Sequence, residues 1–181
     1  MMPGVIANLV ISAQIPSDLS IDRLVDAMVK IEDSNFGNST LHQSREELER
    51  MALDKNFVFV GVYSGELVGY CAGTSIEKFM KKHPLIESTR PVGVRFNKVV
   101  YVESFELSPS FQGKGIGAKL MKKFIEEARN SGFSFIAGHA REGSSYAVVR
   151  SVLRNNIIVN VPVENYFATG ETYHYVLSKM I

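Results

Sequence analysis

The chain has 181 residues, 45% of them apolar and 22% charged, with a formal net charge of +1. Those proportions are ordinary for a soluble globular protein, and a chain of this size buries roughly 70% of its unfolded surface, so one domain over 1–181 is expected. The near-neutral charge argues against nucleic acid as a partner, and no apolar run approaches the roughly 20 residues that span a bilayer. The single cysteine, Cys71, allows no internal disulfide, which fits a reducing cytoplasm. No basic residue precedes the short apolar stretch at the start, so no signal peptide is expected.

Residues 5–11 are β-rich and predict a first strand. Asp18 or Ser20 can cap a helix over 21–31, where Ile21, Leu24, Val25, Met28 and Val29 keep helical spacing. A polar loop over 32–42 carries Phe36 and Leu41. Ser44, with Glu47 three residues on, makes a capping box for a helix to about Leu53. Residues 57–63 and 67–75 predict two strands joined by a tight turn at Ser64-Gly65. Cys71, mid-strand in Gly69-Tyr70-Cys71-Ala72-Gly73, reads as a small buried residue rather than an acyl carrier. Residues 77–97 are irregular, with a basic run and two prolines. So long a connection is either a poorly ordered hairpin extension or a lid or wall over a site.

Strands follow at 98–108 and 133–140, separated by an amphipathic helix that presents Ile116, Leu120, Phe124 and Ile125 on one face and ends at Ser131-Gly132. A helix over 144–155 and strands over 157–163 and 171–177 complete the order β-α-α-β-β-β-α-β-α-β-β. That order predicts a mixed sheet with helices on its faces.

The most informative stretch lies between the 98–108 strand and its helix, Gln112-Gly113-Lys114-Gly115-Ile116-Gly117. Strand, glycine loop and helix start in that order make an anion site, because the N–H groups of the loop and first helical turn can converge on a phosphate. The dinucleotide fingerprint G-x-G-x-x-G does not fit the spacing of Gly113, Gly115 and Gly117. The nucleoside-triphosphate loop fails too, since no Ser or Thr follows Lys114. The pattern Gln/Arg-x-x-Gly-x-Gly/Ala fits at Gln112, Gly115 and Gly117.

On that motif and the order of elements, the chain resembles the GNAT superfamily of N-acetyltransferases over nearly its whole length. Within it the chain is similar to ribosomal-protein-alanine and protein N-terminal acetyltransferases. The residues behind this are Ile31-Glu32 with Phe36, Ser44-Arg45-Glu46-Glu47-Leu48, Leu107-x-Pro109, Arg141-x-x-Ser144 with Ala147-Val148, and Asn165-Tyr166-Phe167 before Gly170-Glu171. The resemblance implies a mostly antiparallel seven-stranded sheet with helices on both faces and a splay between the fourth and fifth strands. It implies acetyl-CoA as cofactor, with its pyrophosphate on Gln112, Gly113, Lys114, Gly115, Ile116, Gly117 and Ala118. Lys114 would add charge there or stay a solvated loop lysine. A bulge near Phe105 to Leu107 would aim an N–H at the thioester oxygen and stabilise an oxyanion. The implied acceptor is a primary amine, on a peptide or a small molecule. Phe36, residues 77–97 and Tyr166-Phe167 would line its entrance. Family members often dimerise through late strands, so a homodimer is an expectation of the same kind.

The acceptor amine must lose a proton, and relatives often use a carboxylate on the strand before the loop. Here that strand offers Glu103 and Glu106. Alternation puts them on opposite faces, unless a bulge shifts the register, with Tyr101, Glu103, Phe105 and Leu107 sharing one face, where apolar neighbours would raise a carboxylate's pKa. Glu103 is therefore preferred, with Glu106 and His139 as the other candidates. Two positions depart from the family's pattern. Ser144 stands where relatives carry a pantetheine-binding asparagine, and Ser151 where they carry the tyrosine that protonates the leaving thiolate. Tyr146, Tyr166 and Tyr173 are the replacements on offer. These departures keep a second reading open, a non-catalytic acyl-CoA-binding sensor or assembly module.

Overall fold

A computed structural model describes residues 9–37, 39–81 and 83–181. Its elements are β1 (Val10–Ser12), α1 (Ile21–Asn35), α2 (Arg45–Leu53), β2 (Val58–Tyr63), β3 (Leu67–Ser75), α3 (Pro84–Ser88), β4 (Val99–Leu107), α4 (Ile116–Asn130), β5 (Phe135–Arg141), α5 (Ser145–Leu153), β6 (Ile157–Val163) and β7 (Tyr173–Lys179). The first predicted strand falls partly outside the described residues, and its paired portion is Val10–Ser12. Helix α1 runs one turn beyond the predicted end at Ile31. The apolar pattern stops there because the last turn faces inward with Glu32, a buried carboxyl that accepts a hydrogen bond from Tyr70. The Ser44 capping box forms as read, the Glu47 N–H donating to Ser44 Oγ and the Ser44 N–H to Glu47 Oε2.

The seven strands make one sheet in the order β1-β2-β3-β4-β5-β7-β6. Every neighbouring pair is antiparallel except β4 and β5. Helices cover both faces. On one, α1 and α2 bury Leu24, Met28, Ile31, Leu48 and Met51 against Phe59, Leu67 and Tyr70. On the other, α4 and α5 bury Leu120, Phe124, Val149 and Leu153 against Val60, Val100, Ile136 and Val176. Full burial of a side chain such as Phe124 contributes about 1.5–3 kcal/mol.

The described residues of 77–97 pack into a core rather than forming a loose hairpin extension, and none of them lines the cleft where β4 and β5 part, contrary to the expectation that they line its entrance. Ile86 from α3, with Ile76, Phe79, Val94 and Phe96, closes a third core with Tyr101, Ala137, Tyr175 and Leu177. The sequence pattern hid α3 because Pro84 opens a helix of only five residues.

Two features of β4 create the site. Its ladder with β5 ends at the pair Val102 and Gly138, while the strands continue to Leu107 and Arg141. The fourth and fifth strands therefore splay at their carboxyl ends, as the resemblance implies. The second feature is a bulge, which sits earlier than expected. Val102 pairs with Gly73 and Ser104 with Ala72, so Glu103 is the extra residue. Gly73 permits it, since a Cβ there would lie 2.5 Å from the Tyr101 carbonyl oxygen. The bulge breaks the simple alternation. Phe105 and Leu107 turn to the α4 face. Glu103 and Glu106 both turn to the α1–α2 face, where they meet Arg50 and Asn35. The expectation that Glu103 shares a face with Phe105 and Leu107 is thus corrected.

Among the described residues no helix is long and apolar enough to cross a membrane.

Candidate active site

A cleft of about 730 Å³ opens where β4 and β5 part. One end is the glycine loop. Gly113 and Gly115 hold φ of +70° and +75°, in the left-handed region that side chains rarely adopt. Gly115 is also the residue at the N-cap of α4, and it offers no side chain to bond that end of the helix. The first N–H groups of α4 lack intrahelical partners and carry the positive end of the helix dipole. Gly117 is buried in the helix for a different reason. A Cβ there would meet Phe105 and Val148 at 3.5 and 3.4 Å, so a small residue lets α4 lie close to β4 and α5. Of the loop's predicted residues, Gln112, Gly113, Gly115, Gly117 and Ala118 line the cleft. Ile116 is buried in the core. Lys114 is exposed, its ammonium over the Phe111 ring.

The cleft's α1 side is a wall of carboxyl groups. Glu106 accepts a 2.5 Å hydrogen bond from Asn35 Nδ2. Burial, with some repulsion from Glu32, raises its pKa to about 8, against the opposing pull of the Asn35 bond and Arg141. Glu32 accepts from the Tyr70 hydroxyl at 2.9 Å and from the Gln43 N–H at 3.3 Å, and burial raises its pKa as well. Glu103 is engaged differently, its Oε1 accepting from Arg50 Nη2 at 3.3 Å.

The opposite wall is aromatic. His139 on β5 stacks on Tyr166 and sets Nδ1 2.7 Å from the Tyr101 hydroxyl. Burial and the neighbouring His83 lower its pKa to about 3, so the ring is neutral near pH 7. Tyr173 also faces the cleft, burial raising its pKa to about 12. Phe36 and Leu41 complete the entrance. Thr40 ties the two rims together by donating to the Phe167 carbonyl.

The remaining predicted residues separate. Phe105, Leu107, Ser144 and Ser151 line the cleft. Ser151 donates to the Val148 carbonyl, and Ser144 accepts from Arg141. Tyr146 stacks flat on His174 at 3.7 Å and accepts from Asn160, against β6 and β7 and away from the cleft. Its proposed part as the proton donor is corrected accordingly. Sequence reasoning gave no role to Glu32, Asn35 or Arg141, all of which line the cleft. The available signal for the first two was helical phase. Continuing α1 one turn puts Glu32 and Asn35 on its inner side.

Residues 25–148 match the model of the acetyltransferase (GNAT) family. No curated protein is similar enough in sequence to count as a match. Among solved structures, YncA from Salmonella typhimurium, determined with its cofactor acetyl-CoA, superposes with a TM-score of 0.66 at 15% identity, over 97% of this chain and 95% of that one. The ribosomal-protein-S18-alanine N-acetyltransferase of Escherichia coli gives 0.63 at 13% identity, over 96% and 94%. The aminoglycoside 6'-N-acetyltransferase of Enterococcus faecium gives 0.65 at 14%, over 95% and 97%. These likenesses concern the fold. The glycine loop fits the family's cofactor, acetyl-CoA, because its left-handed glycines and uncapped helix start offer backbone donors to a pyrophosphate. With its family model spanning more than half its length, the chain belongs to the acetyltransferase (GNAT) family and uses acetyl-CoA.

Proposed function

We propose that the chain, as a single domain over 1–181, is an N-acetyltransferase that passes an acetyl group directly to a primary amine, with Glu106 as general base. The observation that carries this reading is the Glu106 carboxyl. It lies in the cleft at the splayed end of β4, with a pKa near 8. An acceptor ammonium must shed a proton before it can attack, and a base with a pKa near the working pH serves best. Glu103 was the preferred base on simple alternation. The bulge and the Arg50 contact favour Glu106 instead.

Acetyl-CoA supplies the acetyl group as an activated thioester. The chain supplies the rest. Gln112, Gly113, Gly115, Gly117 and Ala118 would hold the pyrophosphate through backbone donors. Beyond Val102 no strand among the described residues pairs with the β5 side of β4, so backbone N–H groups there are available to the pantetheine arm and to a developing oxyanion. Glu106 takes the amine's proton. The neutral His139 stays hydrogen-bonded to Tyr101 as part of the wall. A thiol whose pKa lies within about two units of neutrality needs no strong acid to leave, which suits a chain with Ser151 at the usual tyrosine position.

The test is incubation with acetyl-CoA and pooled N-terminal peptides, lysine peptides, polyamines and amino acids, read by mass spectrometry. An acetylated amine should form, and it should vanish in Glu106→Gln. No product while acetyl-CoA still binds would sink the reading and favour a non-catalytic acyl-CoA-binding module.

A further inference from the structure

Asn35 closes a bracket that the proposed chemistry leaves unexplained. It is the last residue of α1, and its side-chain amide bonds in three directions. Its Nδ2 donates to Glu106 Oε2 at 2.5 Å and to the Leu107 carbonyl at 3.2 Å. Its Oδ1 accepts from Gln112 Nε2 at 3.3 Å. Gln112 Nε2 also donates to the Leu107 carbonyl, at 2.9 Å. Leu107 is the last residue of β4, at the open end of the splay. The helix end, the strand end and the first residue of the glycine loop are therefore tied at one point.

The chemistry of the amide fixes its orientation. Reversed, Oδ1 would face a carboxylate oxygen and a carbonyl oxygen, and Nδ2 would face the Gln112 amide nitrogen. With Glu106 ionised every one of those contacts would pair like with like, and the Leu107 and Gln112 contacts would do so in either state of Glu106. The Gln112 donor, together with the Leu107 carbonyl, thus keeps the Asn35 donor aimed at Glu106.

We infer that Asn35 is a positioning residue for the Glu106 carboxylate, and that Gln112 helps set its orientation and so links the cofactor loop to the base. The inference rests on Glu106 being the base. An amide N–H aimed at the carboxylate holds one oxygen in place, leaving the other to meet the acceptor, and favours the ionised form that accepts a proton. Other titratable groups that bear on Glu106 are Glu32 on α1, Tyr70 and Cys71 on β3, Arg141 on β5 and Tyr173 on β7. Replacing Asn35 changes none of these residues.

The test titrates Glu106 directly, in protein carrying 13C at its glutamate side-chain carboxyls, with Glu106→Gln used to assign the resonance. Asn35→Ala should raise the Glu106 pKa by about one unit, the worth of one hydrogen bond to a charged group. Gln112→Ala should raise it by less. A brace that only stabilises the fold would lower Tm and leave the titration where it was, and that outcome overturns the inference. If Asn35→Ala does not fold, Gln112→Ala decides alone, an upward shift supporting the inference and an unmoved titration overturning it. The titration needs neither acceptor nor turnover. It can therefore fail while Glu106→Gln still abolishes activity, and it can succeed while Glu106→Gln leaves activity intact.

Discussion

The two ends of the cleft are made of different materials. The loop end uses backbone groups from one short run of consecutive residues, shaped by Gly113 and Gly115. The other end, the proposed acceptor end, uses groups that meet only in the folded chain. Asn35 and Glu106 are 71 residues apart, Tyr101 and His139 are 38 apart, and Thr40 and Phe167 are 127 apart. The loop end owes its chemistry to conformation and to the helix start. The acceptor end owes its chemistry to desolvation, which pushes Glu106 up and His139 down. Damage to the two ends should accordingly look different.

One of the two large effects should come from Gly115→Glu. The substitution puts a side chain on a left-handed residue and an anion at the helix start. A Cβ there meets nothing within 4 Å, so the cost is the left-handed strain of about 1–2 kcal/mol, which a fold of about 5–15 kcal/mol should survive. Calorimetry should show acetyl-CoA affinity falling by at least about 100-fold, since like charge and lost donors act together at an anion site. Retained binding would mean that the pyrophosphate does not rest on this loop. Glu106→Gln should do the reverse, leaving acetyl-CoA affinity within about twofold and lowering kcat by about 10²–10⁴-fold, the usual worth of a general base. A drop in affinity alone would move Glu106 from the acceptor end to the cofactor end.

The same contrast explains what could be read from the sequence. The loop end was legible because its determinants are contiguous: strand, Gln112, two glycines and an amphipathic helix. The mostly antiparallel seven-stranded sheet and its splay followed from the resemblance those residues carry. The acceptor end was only partly legible. Glu103, Glu106 and His139 stand out as polar residues on apolar strands, but the shared face of Glu103 and Glu106 was hidden, because the bulge at Glu103 depends on the close approach of Gly73 to the Tyr101 carbonyl. Asn35 and Glu32 were missed because a polar residue on the inner side of a helix breaks the apolar pattern by which helices are recognised. Tyr146 was put forward on residue type alone, and its helical phase turns it to His174.

A smaller effect should appear in stability against pH. A glutamate titrates near 4.5 when exposed, and Glu106 in the fold near 8. Between those values the folded chain keeps a proton that the unfolded chain has lost. Its contribution is therefore fully present below about pH 4.5 and declines as pH rises through about 8. Melts at about pH 5 and about pH 8.5 should show a Tm loss in the wild type that is reduced in Glu106→Gln. An equal loss in both would place the proton elsewhere, with buried Glu32, raised in the same direction, the first suspect.

The smallest effect separates those two carboxyls. Glu32 repels charge on Glu106, and its own burial is partly offset by hydrogen bonds from Tyr70 and Gln43. Glu32→Gln keeps an acceptor for Tyr70 but turns an amide donor toward the Gln43 N–H. Leaving that N–H without an acceptor should cost about 1–3 kcal/mol, so Tm should drop. The acid limb of the kcat/KM profile should move to lower pH at the same time, because a neighbouring negative charge has gone and Glu106 ionises more readily. That direction is opposite to the one expected for Asn35→Ala, although both variants lose stability, so the pH profile distinguishes charge from bracing where Tm cannot. An acid limb that stays put in Glu32→Gln would show that Glu32 is already neutral when Glu106 gives up its proton. Burial alone would then hold Glu106 high, and the acceptor end would depend on one ionised carboxylate rather than on a coupled pair.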